Sequence, residues 1–431
     1  MKLQALLAKI KASTFVKSAI TLMSGTVVAQ VLSLASYPIL TQMYEPDAFG
    51  LLGIYAAILS IIIVLANGGY ETAIMLPEDQ KSAHHIFAMC ISLTVFTSAL
   101  AAVIIYFFLD MFKVLISDYQ LYDCLRFLPL SILLEGAYVS SATLLNRYKL
   151  YRLLTISKIM QALVNGLVSL LVGYYFKTVV GGLVVGFVCG QAAAFLVVLF
   201  QVISLIDRHD FNYTAMKTQA RSFKDFPQYA IGASYLNTVS RQLPFFIIPY
   251  FYVDKNVLGY FTLAHKILTA PLTFVGTTVS QIFYEKAARA KEKGMNNLKS
   301  ITLKLTGVIG VLSIIPCLVI VIWGKEIFEL VLGSHYAIAG HYARWIMPWI
   351  TLTYLVSPLS FLVNVKRKLK FDLLYNIILF ITRIIVLVIG GYYFSAETSI
   401  AIFCMVGLCF NLFLLLWLIQ ISGQSENEYA G

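Results

Sequence analysis

Apolar runs of about twenty residues recur along this chain, separated by short polar segments. At about 1.5 Å per helical residue, runs such as Ile86–Leu109 and Ile159–Phe176 cross all or most of a hydrocarbon core about 30 Å thick. A bare backbone amide finds no partner in lipid, so such runs form helices or a closed barrel. Barrel strands alternate apolar and polar positions; these runs are apolar all round, which selects helices. The pattern predicts an all-α polytopic protein with twelve spans: 18–42, 48–70, 86–109, 123–145, 153–176, 180–203, 230–252, 258–283, 300–323, 342–364, 371–394 and 398–420. The longest polar stretch, 204–229, divides them into an N-lobe (18–203) and a C-lobe (230–420), with a short tail at 421–431. In the basic segment 1–17, Leu3, Leu6, Leu7 and Ile10 fall at helical spacing opposite the lysines. It reads as an interfacial helix or a basic tail. The following run continues without a small-residue cleavage site, so it is expected to stay as the first span.

Lysines and arginines in the joining segments test this arrangement. One side collects 21 of them, including Lys2, Lys81, Arg147, Arg208, Lys286 and Lys366, while the other holds only Lys113, Lys177, Lys255 and Lys325. That asymmetry predicts cytoplasmic termini. It also assigns the net charge of +11 to topology rather than to nucleic acid. Hydrophobic residues make up 59% of the chain and charged residues 12%, leaving no sizeable soluble domain. The six cysteines lie in or beside apolar runs without metal-ligand spacing, and read as small apolar filler.

No phosphate-binding Walker sequence, zinc-hydrolase pair or nucleophile elbow is present. No cofactor, metal site or catalytic residue is expected. His84 and His85 are placed in a cytoplasmic loop, and His335 and His341 in an outer one. Gly182, Gly186 and Gly190 form a repeated small-residue face for close packing of a neighbouring helix. Prolines inside spans, among them Pro129, Pro244, Pro249, Pro271 and Pro358, invite bends.

The informative residues are charges within spans. Glu135, Arg241 and Arg383 each lie about twelve residues into a span, roughly 18 Å deep. A charge there costs about 2.5–3.5 kcal/mol on insertion scales, so it faces a wet cavity or a partner. Lys266 and Lys158 are shallower, and Lys158 can snorkel. Buried cations outnumber buried anions. An anionic ligand would balance them, and the planar fork of arginine suits phosphate. The other reading is an ion pair between Glu135 and one arginine.

Three passages carry a resemblance: GGYETAIMLP at Gly68–Pro77, FPQYAIGASYLNTVSRQLPFFIIPYF at Phe226–Phe251, and LGYFTLAHKILTAPLTFVGTTVSQIFYEKAARA at Leu258–Ala290. LLNRYKLYRLLTISKIMQ at Leu144–Gln161 adds to it. The chain resembles the polysaccharide-export flippases of the multidrug/oligosaccharidyl-lipid/polysaccharide superfamily. Relatives often carry arginine before the Tyr-Glu pair, where this chain has Gly69, so no arginine role is carried over there.

The resemblance implies two six-helix lobes around a cavity that opens alternately to each side. It implies movement of an undecaprenyl-diphosphate-linked oligosaccharide from the cytoplasmic to the periplasmic leaflet of a bacterial inner membrane. The expected partners are that lipid-linked oligosaccharide, membrane lipid, and polysaccharide polymerase and chain-length machinery, with no nucleic acid. Arg241 and Arg383 are the leading substrate contacts, with Lys266 third. Glu135 stands as an ion-pair or coupling residue, and Pro244 and Pro249 as a bending gate. The rival readings are a multidrug extruder of the same superfamily, which would favour buried carboxylates, and a polysaccharide polymerase or ligase. The latter would want a larger outer loop than 324–341.

Overall fold

The computed structural model describes residues 25–115, 119–176, 181–206, 211–224, 231–270, 298–360, 362–363 and 368–423. The N-terminal segment 1–17, Pro271, and most of the tail lie outside the described residues. Among the described residues every extended element is a helix: α1 (25–43), α2 (Pro46–Ala66), α3 (Gln80–Leu115), α4 (Tyr119–Leu125), α5 (Leu128–Arg147), α6 (Tyr151–Tyr175) and α7 (Gly182–Leu205). After them come α8 (Tyr213–Ser222), α9 (Ile231–Phe251), α10 (256–270), α11 (Leu298–Leu332), α12 (Ala337–Val356), α13 (Leu369–Tyr393) and α14 (Ala396–Ser422).

Eight of these, α2, α3, α5, α6, α7, α11, α13 and α14, are long and apolar enough to cross a bilayer, which makes this a multi-pass membrane protein. Helices α1, α9, α10 and α12 occupy the other expected spans and are not among the eight. In α9 the polar run Asn237–Gln242 dilutes the apolar surface.

Several boundaries differ from expectation for physical reasons. The expected span 123–145 breaks into α4 and α5, because Pro129 sits in the first turn of α5, where its missing N–H costs nothing. Helix α3 begins at Gln80, so His84 and His85 are helical rather than in a loop, and His84 Nε2 bonds Tyr148 Oη at 2.8 Å. Asp79 starts that helix by accepting from Ser82 N–H at 2.7 Å. Helix α11 kinks at Trp323, where the expected ninth span ends, and the following residues continue as helix to Leu332. Helix α12 ends at Val356, and Pro358 lies in the following 3-10 turn.

The chain forms two compact units. The first comprises Met1–Tyr44 and Leu51–Thr238; the second comprises Glu45–Gly50 and Val239–Gly431.

In the first unit, α6 and α7 share the most extensive helix contact. Side chains at Gly186 and Gly190 would collide with Ser169, Asn165 and Gln161 of α6, so the small-residue face packs within the chain. The sequence GGYETAIMLP forms a tight corner at the end of α2. Gly68 and Gly69 have φ of 61° and 73°, a region that favours glycine over a side chain such as arginine. Arg147, at the end of α5, donates to the carbonyls of Ile74 (3.2 Å) and Pro77 (2.7 Å) and closes this corner. Within the linker, Asn212 caps α8 by accepting from Thr214 N–H at 2.9 Å. Helix α8 is held through Tyr70 Oη donating to Ala220 O (3.2 Å) and Gln219 donating to Ser82 Oγ (2.9 Å). Met216, Ala220 and Phe223 pack on the core around Ile74, Ile86 and Leu145.

In the second unit, α11 and α12 pack together, as do α12 and α14. The core gathers Ile309, Leu355, Leu359, Leu379, Leu415 and Leu418. The end of α9 is tied to α13 by Tyr252 Oη, which donates to the carbonyls of Gly390 (3.2 Å) and Phe394 (3.1 Å).

Candidate functional site

The expected midplane charges fall in different units and different surroundings. Glu135 belongs to the first unit. It is half-buried on α5 and accepts from Gln191 Nε2 of α7 at 3.2 Å. Within that unit, among the described residues, it has no ion pair. Around it lies a neutral polar network. Tyr55 Oη bonds Ser131 Oγ at 2.6 Å, Asn67 Nδ2 donates to Gly136 O at 3.3 Å, and Thr94 Oγ1 donates to Asn67 Oδ1. Tyr138 Oη bonds Ser157 Oγ at 3.0 Å. These bonds satisfy groups that would otherwise be orphaned far from water.

Arg241, Lys266 and Arg383 all belong to the second unit. Arg241, on α9, is exposed and lies within electrostatic reach of Tyr354, His265 and Arg383. Lys266 is half-buried on α10, beside His265. His265 stacks on Phe261 at 6.0 Å and faces Phe245 and Trp349. Arg383 is enclosed, with 2% of its surface exposed. Its guanidinium carbon lies 5.2 Å from the Trp349 ring centroid and 4.9 Å from that of Phe403. Nη1 donates to Ser240 Oγ at 3.0 Å, and Nε is buried with no hydrogen-bond partner among the described residues. Ring faces are electron-rich, so they replace part of the lost hydration.

These cations have few anions near them along the chain. Helices α9, α10 and α12 contain no Asp or Glu, Asp372 lies in the first turn of α13, and Glu397 lies in the first turn of α14. In α9, Pro244 is buried and Pro249 is exposed. Each removes one i−4 hydrogen bond from the helix.

The aromatic enclosure escaped the sequence reading. Depth along a span can be counted, whereas the rings of Trp349 and Phe403 come from α12 and α14. Gln191, the partner of Glu135, carried a visible signal as a polar residue inside an apolar run. Arg147 looked like one more loop charge and is a carbonyl clamp.

Chains of this architecture form a recognisable class of polytopic membrane proteins. The lipid II flippase MurJ in an inward closed conformation is 14% identical with a TM-score of 0.69, covering 94% of this chain and 90% of that one. A MATE family multidrug resistance transporter of the MOP superfamily, inward-facing, is 13% identical with a TM-score of 0.68, covering 94% and 98%. A MOP superfamily transporter from Pyrococcus furiosus, described as having a binding pocket of reverse polarity, is 13% identical with a TM-score of 0.66, covering 95% and 96%. At these identities the likeness is one of fold. No curated protein sequence matches. The family model for polysaccharide biosynthesis proteins matches residues 39–340, more than half of the chain, and the chain belongs to that family.

Proposed function

We propose that this protein is a flippase that carries an undecaprenyl-diphosphate-linked oligosaccharide from the cytoplasmic to the periplasmic leaflet of a bacterial inner membrane by alternating access. Twelve crossings with both termini in the cytoplasm go with this reading. So does a place beside the polymerase and chain-length machinery of a cell-surface polysaccharide. The observation that carries it is the cluster of cations in the second unit, where Arg241 is exposed and Lys266 half-buried on helices without Asp or Glu, and the enclosed Arg383 adds to the local positive charge. A diphosphate carries the opposite charge, and arginine binds it through paired hydrogen bonds. Arg241, being exposed, makes the first contact, with Lys266 adding charge. The apolar tail stays in lipid. Membership of a polysaccharide biosynthesis family supports this class of cargo over organic cations.

The test is a reconstituted assay. Proteoliposomes are loaded with a fluorescent lipid-linked oligosaccharide, and its appearance in the opposite leaflet is read with a membrane-impermeant quencher. Faster flipping than in protein-free vesicles is expected. No flipping, together with uptake of an organic cation, would mark the protein as a multidrug extruder.

A further inference from the structure

Arg383 stands apart from the other cations because it is sealed inside the second unit. A side chain that is 2% exposed cannot meet a bulky lipid-linked sugar without leaving its enclosure. What it does touch is specific. Trp349 of α12 and Phe403 of α14 cover the guanidinium, and Ser240 of α9 accepts its Nη1 hydrogen bond at 3.0 Å. Space for it depends on Gly407 of α14, where an added Cβ would sit 2.6 Å from Trp349 and 2.9 Å from Arg383 Nη2. One guanidinium thus joins α9, α12, α13 and α14.

The contact with α9 falls at a weak turn. Pro244 has no N–H, so it cannot make the i−4 bond to the Ser240 carbonyl that an unbroken helix would contain. The tether from Arg383 therefore grips the residue whose backbone support is reduced. Ser240 is fully buried and Arg241, the next residue, is exposed. Successive residues on a helix are about 100° apart, so fixing Ser240 inward fixes where Arg241 points.

We infer that Arg383 is a positioning residue: it locks the turn of α9 at Ser240 and thereby sets the direction in which Arg241 is presented. Its charge serves directional bonding and ring contact rather than ligand contact. The inference rests on the reading of Arg241 as a diphosphate contact, and two measurements separate the two.

The first is a double-mutant cycle on the full chain in nanodiscs, with farnesyl diphosphate as the probe and affinities normalised to folded protein. Arg383→Gln should weaken binding about tenfold when Arg241 is present, a coupling of about 1.4 kcal/mol. It should add nothing in an Arg241→Ala background. Equal losses in both backgrounds would overturn the inference, because Arg383 would then act without Arg241. Unchanged affinity with less folded protein would also overturn it, leaving a merely structural role. Gly407→Ala, which keeps every charge and crowds the guanidinium, should reproduce the Arg383→Gln loss. Ser240→Ala provides a milder cycle if either variant fails to fold.

The second measurement needs no ligand. Arg241→Cys in a cysteine-free chain is labelled with a water-soluble methanethiosulfonate, with and without Arg383→Gln. The labelling rate should change about tenfold, because the direction of residue 241 sets the access of water-soluble reagent to its thiol. Identical rates would overturn the positioning role. If Arg241→Ala leaves probe affinity intact while the labelling rate still depends on Arg383, the diphosphate reading of Arg241 fails and the positioning role stands.

Discussion

Inside the first unit, polar side chains are mostly neutral and bond to one another: Asn67 with Thr94, Tyr55 with Ser131, Tyr138 with Ser157, Gln191 with Glu135. Inside the second unit, the largest fully buried side chain among the described residues is a guanidinium between two rings. Both arrangements answer the same constraint, that lipid offers no hydrogen bonds. They differ in tolerance. A neutral network loses one bond when one member changes, while a charge held by ring faces depends on its sign.

Reversing that sign gives the largest effect. Arg383→Glu places a carboxylate against the faces of Trp349 and Phe403, and should cost about 3–5 kcal/mol and most of the folded protein. Yield and melting by size-exclusion chromatography would show it, and normal yield would mean that the enclosure opens freely. In the first unit, Thr94→Val removes the donor to Asn67 and should cost about 1 kcal/mol. A shift in melting as large as that of Arg383→Glu would erase the contrast between the units.

Glu135→Gln should be milder still, within about 1 kcal/mol, because a glutamine oxygen at that position still accepts from Gln191. Severe loss of folded protein in this variant would show that the negative charge of Glu135 itself supports the fold. The smallest effect belongs to the surface of the first unit. The Ser82 N–H holds the carboxyl of Asp79 below its ordinary range. A carboxyl depressed in the folded state stabilises above its unfolded pKa, and the gain is lost as pH falls through the folded value. Asp79→Asn should therefore flatten the acid limb of the melting-versus-pH curve, below about pH 4, by lowering stability slightly at neutral pH while leaving it near wild type in acid. An acid limb identical to the wild type would remove this cap from the account.

Much of the helical layout was legible because apolar runs in lipid have one solution. The expected 153–176 is Tyr151–Tyr175, and the expected 371–394 is Leu369–Tyr393. Polar helix ends were less legible. Helix α3 starts six residues before its apolar run, since the Asp79 cap rather than hydropathy sets its beginning. Helix α8 was hidden in a stretch read only as a linker, although Asn212 ahead of Tyr213–Ser222 is a start signal. The depth of Arg383 could be counted from its span, whereas its direction could not. That direction depends on Gly407 and on rings twenty or more residues away in either direction along the chain. For Glu135, the sequence left an ion pair and a coupling role open, and the hydrogen bond from Gln191 is the contact found within its unit.

In the proposed function, the exposed cation of the second unit meets an anionic cargo. Flipping of a lipid-linked oligosaccharide by Arg241→Ala, against wild type at matched protein density in proteoliposomes, tests it most directly. Alanine should lose tenfold or more, about 1.4 kcal/mol or greater, with partial activity kept by Arg241→Lys. Wild-type flipping by Arg241→Ala would contradict it.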